Sequence, residues 1–328
     1  MKDTNSFDWF RLAQIKGVGT KLLWDVYDFA HKESLTLSDL LLDSKSSAVK
    51  IPTKLKVKFS SLLEQDYEAV HSAFERLQQN RVKLLHAESP EFPEKLKRYG
   101  RDYGIPPVLY ARGHLPLATT QSISIVGSRN IGEEAISITS ELSKGLAREG
   151  FNIVSGYAKG VDSTAHLGAL QAEGTTTIVL SLGILNFEAK KDFKPLFSSY
   201  NTLVLSQFNP TDKWLARNAM ARNKLVCGLS DAVIVIASGV ETDNQGRMSG
   251  TFDAAKSAMA MKIPVFVLSP HSFSQPPVGN YDLIKLGCHE ISPENGISQI
   301  LSRLRHNPLA KDTQPYKDNI QLELLPSA

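Results

Sequence analysis

Three short segments of the chain combine glycines with hydroxyl and cationic side chains just ahead of helical sequence. The first is Gly127-Ser128-Arg129-Asn130, followed by Gly132. Glycine lets a backbone approach a ligand closely. Ser128 and free backbone amides can bond phosphate oxygens, and Arg129 can grip a phosphate with two N–H groups at once. The second runs from Ser155 through Gly156, Tyr157, Ala158, Lys159 and Gly160 to Val161 and Asp162, then Ser163-Thr164-Ala165-His166. Gly156, Lys159 and Gly160 form a second anion cradle. Asp162 is placed to cap the helix that follows, and His166, one turn on, faces the same side. For His166 a structural hydrogen bond and a ligand-orienting contact are equally open. Tyr157 is suited either to stack on a base or to pack. The third segment holds Arg247, Ser249, Gly250 and Thr251 at another helix start. Between the second and third lie Arg217, Asn218, Arg222, Asn223 and Lys224, which read either as a basic edge of the same cleft or as a solvated helix face.

Other chemistries lack their residues. There is no GxxxxGK[ST], no strict GxGxxG opening a βα unit, no GxSxG elbow and no HExxH helix. Cys227 and Cys288 sit among apolar neighbours in LVCGL and KLGCHEI, as small buried residues rather than metal ligands or disulfide partners. The sequence therefore predicts no metal site, no cofactor and no catalytic constellation.

The elements that must position these loops alternate. ISIVGS, NIVSG, TTTIVLSL, TLVLSQ, DAVIVIAS and IPVFVLS read as strands. EEAISITSELSKGLAREG, DSTAHLGALQAEG, LARNAMARNKLVCGLS, SGTFDAAKSAMAM and NGISQILSRLR read as helices. Continuous apolar runs imply strands buried on both faces, and alternating βα units imply a doubly wound sheet. Ligands in such a sheet bind beyond the carboxyl ends of the strands, where all three glycine segments fall.

The expected organisation has four zones. Residues 1–80 form a small helical N-terminal domain, with Gly17-Val18-Gly19 between two helices and a run of Lys45, Lys50, Lys54, Lys56 and Lys58. Residues 81–120 form a connector, rich in proline, glycine and aromatics, that leads into the sheet as an ordered loop. Residues 121–305 form a Rossmann-like α/β domain with a mostly parallel, doubly wound sheet. Residues 306–328 form a loosely held tail. Of the 328 residues, 42% are hydrophobic and 22% charged, an ordinary globular composition able to bury a sizeable core. The opening MKDTNSFDWF carries no apolar run of signal-peptide or membrane-span length, so a cytoplasmic protein without membrane association is expected. A formal net charge of +3 is too small to imply a nucleic-acid partner by itself, so any anion site must come from local clustering.

These loops, in this order, resemble the DNA-processing protein A family (DprA, also called Smf). The matching pieces are SIVGSRN, GFNIVSGYAKGVDSTAHLGALQAEGTTTIVLSLGI, ARNKLVCGLSDAVIVI, MSGTFDAAKSAMAMKIPVFVLSP and GNYDLIKLGC, of which SGYAKGVDSTAHLGAL is the most specific. The resemblance covers about residues 95–292, and the IKGVGTKLL region is similar to the helical N-terminal domain (helix-hairpin-helix or SAM-like) that many members carry. It implies a homodimeric, non-enzymatic protein that binds single-stranded DNA in a basic pocket and helps load a RecA-type recombinase. Its settings would be DNA uptake, natural transformation and recombination. The family's DNA-facing basic residues map onto Arg129, Arg222 and Lys224. Departures are also present. The family's RNR is Arg222-Asn223-Lys224 here, its SE after the fourth strand is Ser206-Gln207, the loop before Ser249 is longer, and no winged-helix domain follows the sheet. They suggest a divergent member, with a defence role as one setting. The alternative is a nucleotide or nucleotide-signal sensor or hydrolase of the lysine-decarboxylase-like group. Aligning Gly250-Thr251 with that group's GT puts Ala254 where its catalytic glutamate belongs, with Asp253 pointing elsewhere.

Overall fold

The computed structural model describes residues 4–43 and 50–305. Lys45 and the expected tail at 306–328 lie outside the described residues. Five helices come first: α1 (Thr4–Ala13), α2 (Thr20–Lys32), α3 (Leu37–Asp43), α4 (Thr53–Leu63) and α5 (Tyr67–Gln79). The next stretch contains β1 (Lys83–His86), α6 (Glu94–Tyr103) and β2 (Val108–Gly113). The alternating part follows as β3 (Ser122–Val126), α7 (Glu133–Arg148), β4 (Asn152–Ser155), α8 (Val161–Gln171), β5 (Thr176–Val179), β6 (Thr202–Ser206), α9 (Ala216–Gly228) and β7 (Ala232–Val235). It ends with α10 (Gly250–Ala260), β8 (Val265–Leu268), α11 (Val278–Lys285), β9 (His289–Ile291) and α12 (Gly296–Arg305).

All nine strands join one sheet in the order β1-β2-β6-β5-β4-β3-β7-β8-β9. From β3 the chain winds outward through β4, β5 and β6, then returns to lay β7, β8 and β9 on the other side. Every pairing from β6 to β9 is parallel, as Ile123↔Ile153 and Ile123↔Ala232 illustrate. The order therefore reverses between β3 and β7, where a doubly wound sheet opens a crevice at its carboxyl edge. The α/β, doubly wound, mostly parallel expectation holds.

Residues 81–120 differ from the expected ordered loop. They supply β2, which pairs antiparallel with β6, and β1, which pairs antiparallel with β2, with Tyr110↔Ser206 and Lys83↔Ala111 in register. Helix α6 between them is amphipathic, burying Leu96 and Gly100 and pairing Lys95 with buried Asp231 at 2.7 Å, and it stops at Gly104, which takes a left-handed conformation at φ 70°. The prolines that make this stretch look like a loop sit at the element boundaries.

Strand side chains alternate between two buried faces. On one face Val126, Val154, Val179, Leu205, Val233, Val235 and Val267 meet the buried sides of α9 and α10. On the other, Ile123, Ile125, Ile153, Ile234 and Phe266 pack against Leu142, Leu146, Ala165 and Ile300 of α7, α8 and α12. That second face continues across β5, β6, β2 and β1, where Ile178, Val204, Tyr110, Val108 and Leu84 are covered by Trp9, Phe10, Leu12, Leu55 and Phe59 of the first helices. The N-terminal helices thus form part of the sheet's own core. Polar links reinforce them: Glu88 accepts from Asn5 and from the Trp9 indole, and Trp24 donates to the Ile105 carbonyl at 2.8 Å. Among the described residues no helix is long and apolar enough to cross a membrane.

Candidate nucleic-acid interface

The crevice between β3 and β7 brings the three glycine segments to one rim, joined by backbone contacts. The Ser128 amide donates to the Ala237 carbonyl at 2.9 Å, tying the loop after β3 to the loop after β7. The Val161 amide donates to the Ser128 carbonyl at 3.2 Å, tying the loop after β4 to the loop after β3. Asn223 Nδ2 of α9 donates to the Gly250 carbonyl at 2.8 Å.

The glycines serve these internal contacts. Gly160 has φ 72° and ψ −128°, and a Cβ there would lie 2.5 Å from the carbonyl oxygens of Ser128 and Arg129. A Cβ on Gly156 would lie 1.2 Å from Arg222 Nη1, because the Arg222 guanidinium rests directly on that backbone. Gly127 abuts Val161 in the same way. The sequence pattern that suggests close approach of a ligand therefore has an internal cause, the close docking of loop on loop. The Ser128 amide is likewise already taken, and its hydroxyl donates to the Asn130 carbonyl at 3.1 Å.

One expected role needs correcting and one open alternative is decided. Asp162 does not cap α8. Gly160 turns the chain so that Val161 opens the helix, and Asp162, in the first turn, accepts from the Ala158 amide at 3.3 Å. It also faces Arg222, whose Nη1 lies 3.6 Å from its Oδ2, an ion pair rather than a close hydrogen bond. Of the two roles open for Tyr157, the structure shows packing. Its ring lies edge-on to Phe193 at 5.1 Å, and its hydroxyl accepts from the Lys190 amide at 2.8 Å.

Beneath the rim is a buried charged cluster. Arg222 is 5% exposed, and burial pulls its pKa down, with Asp162 opposing and Arg129 adding to the shift. Its Nε has no hydrogen-bond partner among the described residues. His166 is fully buried, and its Nδ1 lies 2.6 Å from Thr176 Oγ1. The Thr176 hydroxyl donates its proton to the Ile153 carbonyl, so it must accept from an Nδ1–H of His166. Burial first, then Lys190 and Arg222, lower the imidazole pKa to about 3, which keeps it neutral at neutral pH. Its Nε2 is buried without a partner among the described residues. His166 is thus a core histidine that does face the side Asp162 faces.

Lys190, which no local pattern singles out, ties this loop down. Its Nζ donates to the Tyr157 carbonyl at 3.0 Å and to Ser163 Oγ at 2.6 Å, and lies 4.3 Å from the centre of the Tyr157 ring. Burial lowers its pKa, countered by the negative charge of Asp162.

The remaining predicted residues divide by exposure. Asn223 is buried in its bond to Gly250, and Ser249 caps α10 by accepting from the Phe252 amide at 3.3 Å. Arg247 is exposed but paired locally, its Nε donating to Asp243 at 2.8 Å. Asp253 faces Asn223 and Lys224, and burial pushes its carboxyl pKa up. Ala254 is buried in the core, so no carboxylate stands where a hydrolase of the alternative group would hold its acid. Lys224 is half-buried, while Arg129, Lys159 and Arg217 are exposed. Arg129 forms no ion pair among the described residues; its guanidinium carbon sits 6.0 Å from the centre of the Trp214 ring.

A cleft of about 610 Å3 opens on the other side of the first loop, lined by Ser128, Asn130, Gly132, Glu134, Ser238 and Phe273 among others. Glu133 and Glu134 stand in the first turn of α7, and Glu134 accepts from both the amide and the hydroxyl of Ser274 at 3.0 Å. Carboxylates already occupy the positive end of that helix. Anion-binding capacity of the first loop therefore lies with Arg129 rather than with the helix terminus. Among the described residues no group of His, Cys, Asp and Glu is arranged to hold a metal ion, and both cysteines are free and buried.

Comparison with known proteins places this architecture. A family model described as DNA recombination-mediator protein A matches residues 83–304. Protein Smf of Synechocystis is 32% identical over 249 residues, covering 74% of this chain and 59% of that protein, so this chain spans somewhat over half of that relative's length. DNA processing protein A from Streptococcus pneumoniae is similar in structure, with a TM-score of 0.70 at 25% identity over 91% of this chain and 99% of that one. DNA processing protein A from Helicobacter pylori, whose structure addresses its single-stranded DNA binding mode, gives a TM-score of 0.54 at 27% identity over 68% of this chain and 97% of that one. The chain belongs to the DNA recombination-mediator protein A family.

Proposed function

We propose that the protein binds single-stranded DNA along the rim at the β3/β7 crevice and acts, without catalysis, as a DprA-like recombination mediator. The observation that carries this reading is the contrast among the rim's cations. Arg247 and Lys256 are paired with Asp243 and Glu241, whereas Arg129 and Lys159 are exposed and form no ion pair among the described residues. In this reading Arg129, Lys159 and Lys224 contact phosphates, while Gly127, Gly156 and Gly160 let the loops that present them dock closely and Ser128, Gly250 and Thr251 complete the rim. Arg222, Asn223, Ser249, Asp162 and His166 hold the rim in shape from below. Phosphate contacts of this kind position a strand without reading its sequence. The Helicobacter pylori relative and its single-stranded DNA binding mode support the choice of ligand. Homodimer formation, loading of a RecA-type recombinase and a place in natural transformation or in defence follow from family membership as parts of the same proposal.

Fluorescence anisotropy with a labelled oligonucleotide tests the reading, with blunt duplex and nucleoside phosphates as competitors. Each phosphate neutralised on a single strand contributes about −0.7 to the slope of log K against log salt. Three cationic contacts therefore give a slope near about −2. The single strand should outcompete the duplex. A flat salt response, or equal affinity for the duplex, contradicts the proposal, and tighter binding of a free nucleotide favours the sensor reading.

A further inference from the structure

The chain has three tryptophans, and two have evident structural roles. Trp9 and Trp24 are 0% and 2% exposed, and each donates its indole N–H to a partner, Glu88 and the Ile105 carbonyl respectively. Trp214 does neither. It is 50% exposed, lies in the irregular stretch before α9, and its indole N–H has no partner among the described residues. A large aromatic side chain left half in water contributes little to the core and forgoes much of the stabilisation its area could supply.

Its surroundings define what it fits. The Arg129 guanidinium is over the ring, 6.0 Å from its centre. Lys213 and Arg217 flank it in sequence and are exposed, as is Lys159 on the neighbouring loop. An aromatic ring amid unpaired cations suits a polyanion that carries flat π faces. A guanidinium held against a ring still points its N–H groups outward in its own plane, so Arg129 can grip a phosphate while it rests on Trp214.

We propose that Trp214 is a base-stacking platform, on which an unstacked nucleobase of the bound strand lies beside the phosphate held by Arg129. This rests on the single-strand reading above and adds to it a part of the affinity that depends on bases rather than on phosphates. Base–aromatic stacking tolerates any sequence, because every base has a π face.

The test uses the whole chain and two labelled oligonucleotides of equal length, one with bases and one with abasic sugars. Trp214→Ala should bind the base-bearing strand about tenfold more weakly, within the range known for stacking on one aromatic. It should bind the abasic strand as the wild type does and melt as the wild type does. Trp214→Phe should restore most of the loss. The base-bearing strand should quench the wild-type tryptophan emission, which Trp214 alone presents to solvent, and the abasic strand should not. Equal binding of the base-bearing strand by Trp214→Ala and wild type overturns the platform. An equal loss on both strands also overturns it, since Trp214 would then merely prop Arg129. If neither strand binds the wild type in a salt-dependent way, the single-strand reading falls, and the platform with it.

Discussion

The loop after β4 and the loop after β7 read alike in sequence, each with glycines, a cation and a hydroxyl ahead of a helix, yet they are built on opposite principles. Around 155–166 the charges are taken inside: buried Asp162 faces Arg222 and Lys190, and the backbone is fitted to the Arg222 guanidinium at Gly156. Around 240–256 the charges stay in solvent as local pairs, Asp243 with Arg247 and Glu241 with Lys256. Removing one member of a buried pair strands the other, whereas exposed pairs are screened and contribute little. The same residue types therefore specify a rigid floor in one loop and an adaptable surface in the other.

Arg222→Met breaks that contrast where it is strongest. It leaves Asp162 buried with only Lys190 as a counter-charge and should destabilise the fold by about 3–5 kcal/mol, toward the lower end because Lys190 remains. Denaturant unfolding checks it, and a loss below about 1 kcal/mol would show that the pair is solvated like those of the other loop.

Acid should sharpen the difference next. His166 is held neutral in the fold, with a pKa of about 3 against an ordinary 6.5. In that interval the unfolded chain takes up a proton that the folded chain refuses. The stability due to neutral His166 is complete above pH 6.5 and is lost progressively as pH falls toward 3. The slope reaches at most about 1.4 kcal/mol per pH unit for one group. Melting temperature should fall over that window, and His166→Gln should flatten the fall; an unchanged slope in the variant assigns it to other groups.

The smallest effect belongs to the exposed loop. Arg247→Ala should change stability by no more than about 0.5 kcal/mol, because its partner Asp243 keeps its backbone donors from Gln245 and Arg247. A thermal melt checks it, and a loss above about 1 kcal/mol would mean that this loop, too, is held by its charges.

Which parts of this were legible beforehand follows from how local the signals are. Strands β3 to β8 announce themselves because burial on both faces demands uninterrupted apolar runs such as DAVIVI and IPVFVL. Strand β9 is only His-Glu-Ile, with Glu290 exposed at the sheet edge, and β2 is enclosed by prolines and charged residues, so neither carries that signature. The glycine loops were visible, but their cause was not. That Gly156 makes room for Arg222 depends on residues 66 positions apart in the chain. Lys190 and Trp214 escaped for the same reason: each matters through partners brought near by the fold, Tyr157 and Ser163 for the one and Arg129 for the other.

The central claim is that the rim grips a strand through cations left unpaired, and Arg129 is its most direct test. Arg129→Ala removes up to two charge-assisted bonds without stranding a buried charge, since the side chain is exposed and forms no ion pair among the described residues. Binding of a single-stranded oligonucleotide and thermal melting should be measured on the same preparation. The account predicts a binding loss of about 1.5–3 kcal/mol with an unchanged melt, and only partial recovery in Arg129→Lys, whose point charge cannot reproduce the fork. A variant that melts like the wild type and binds the strand equally well would contradict it.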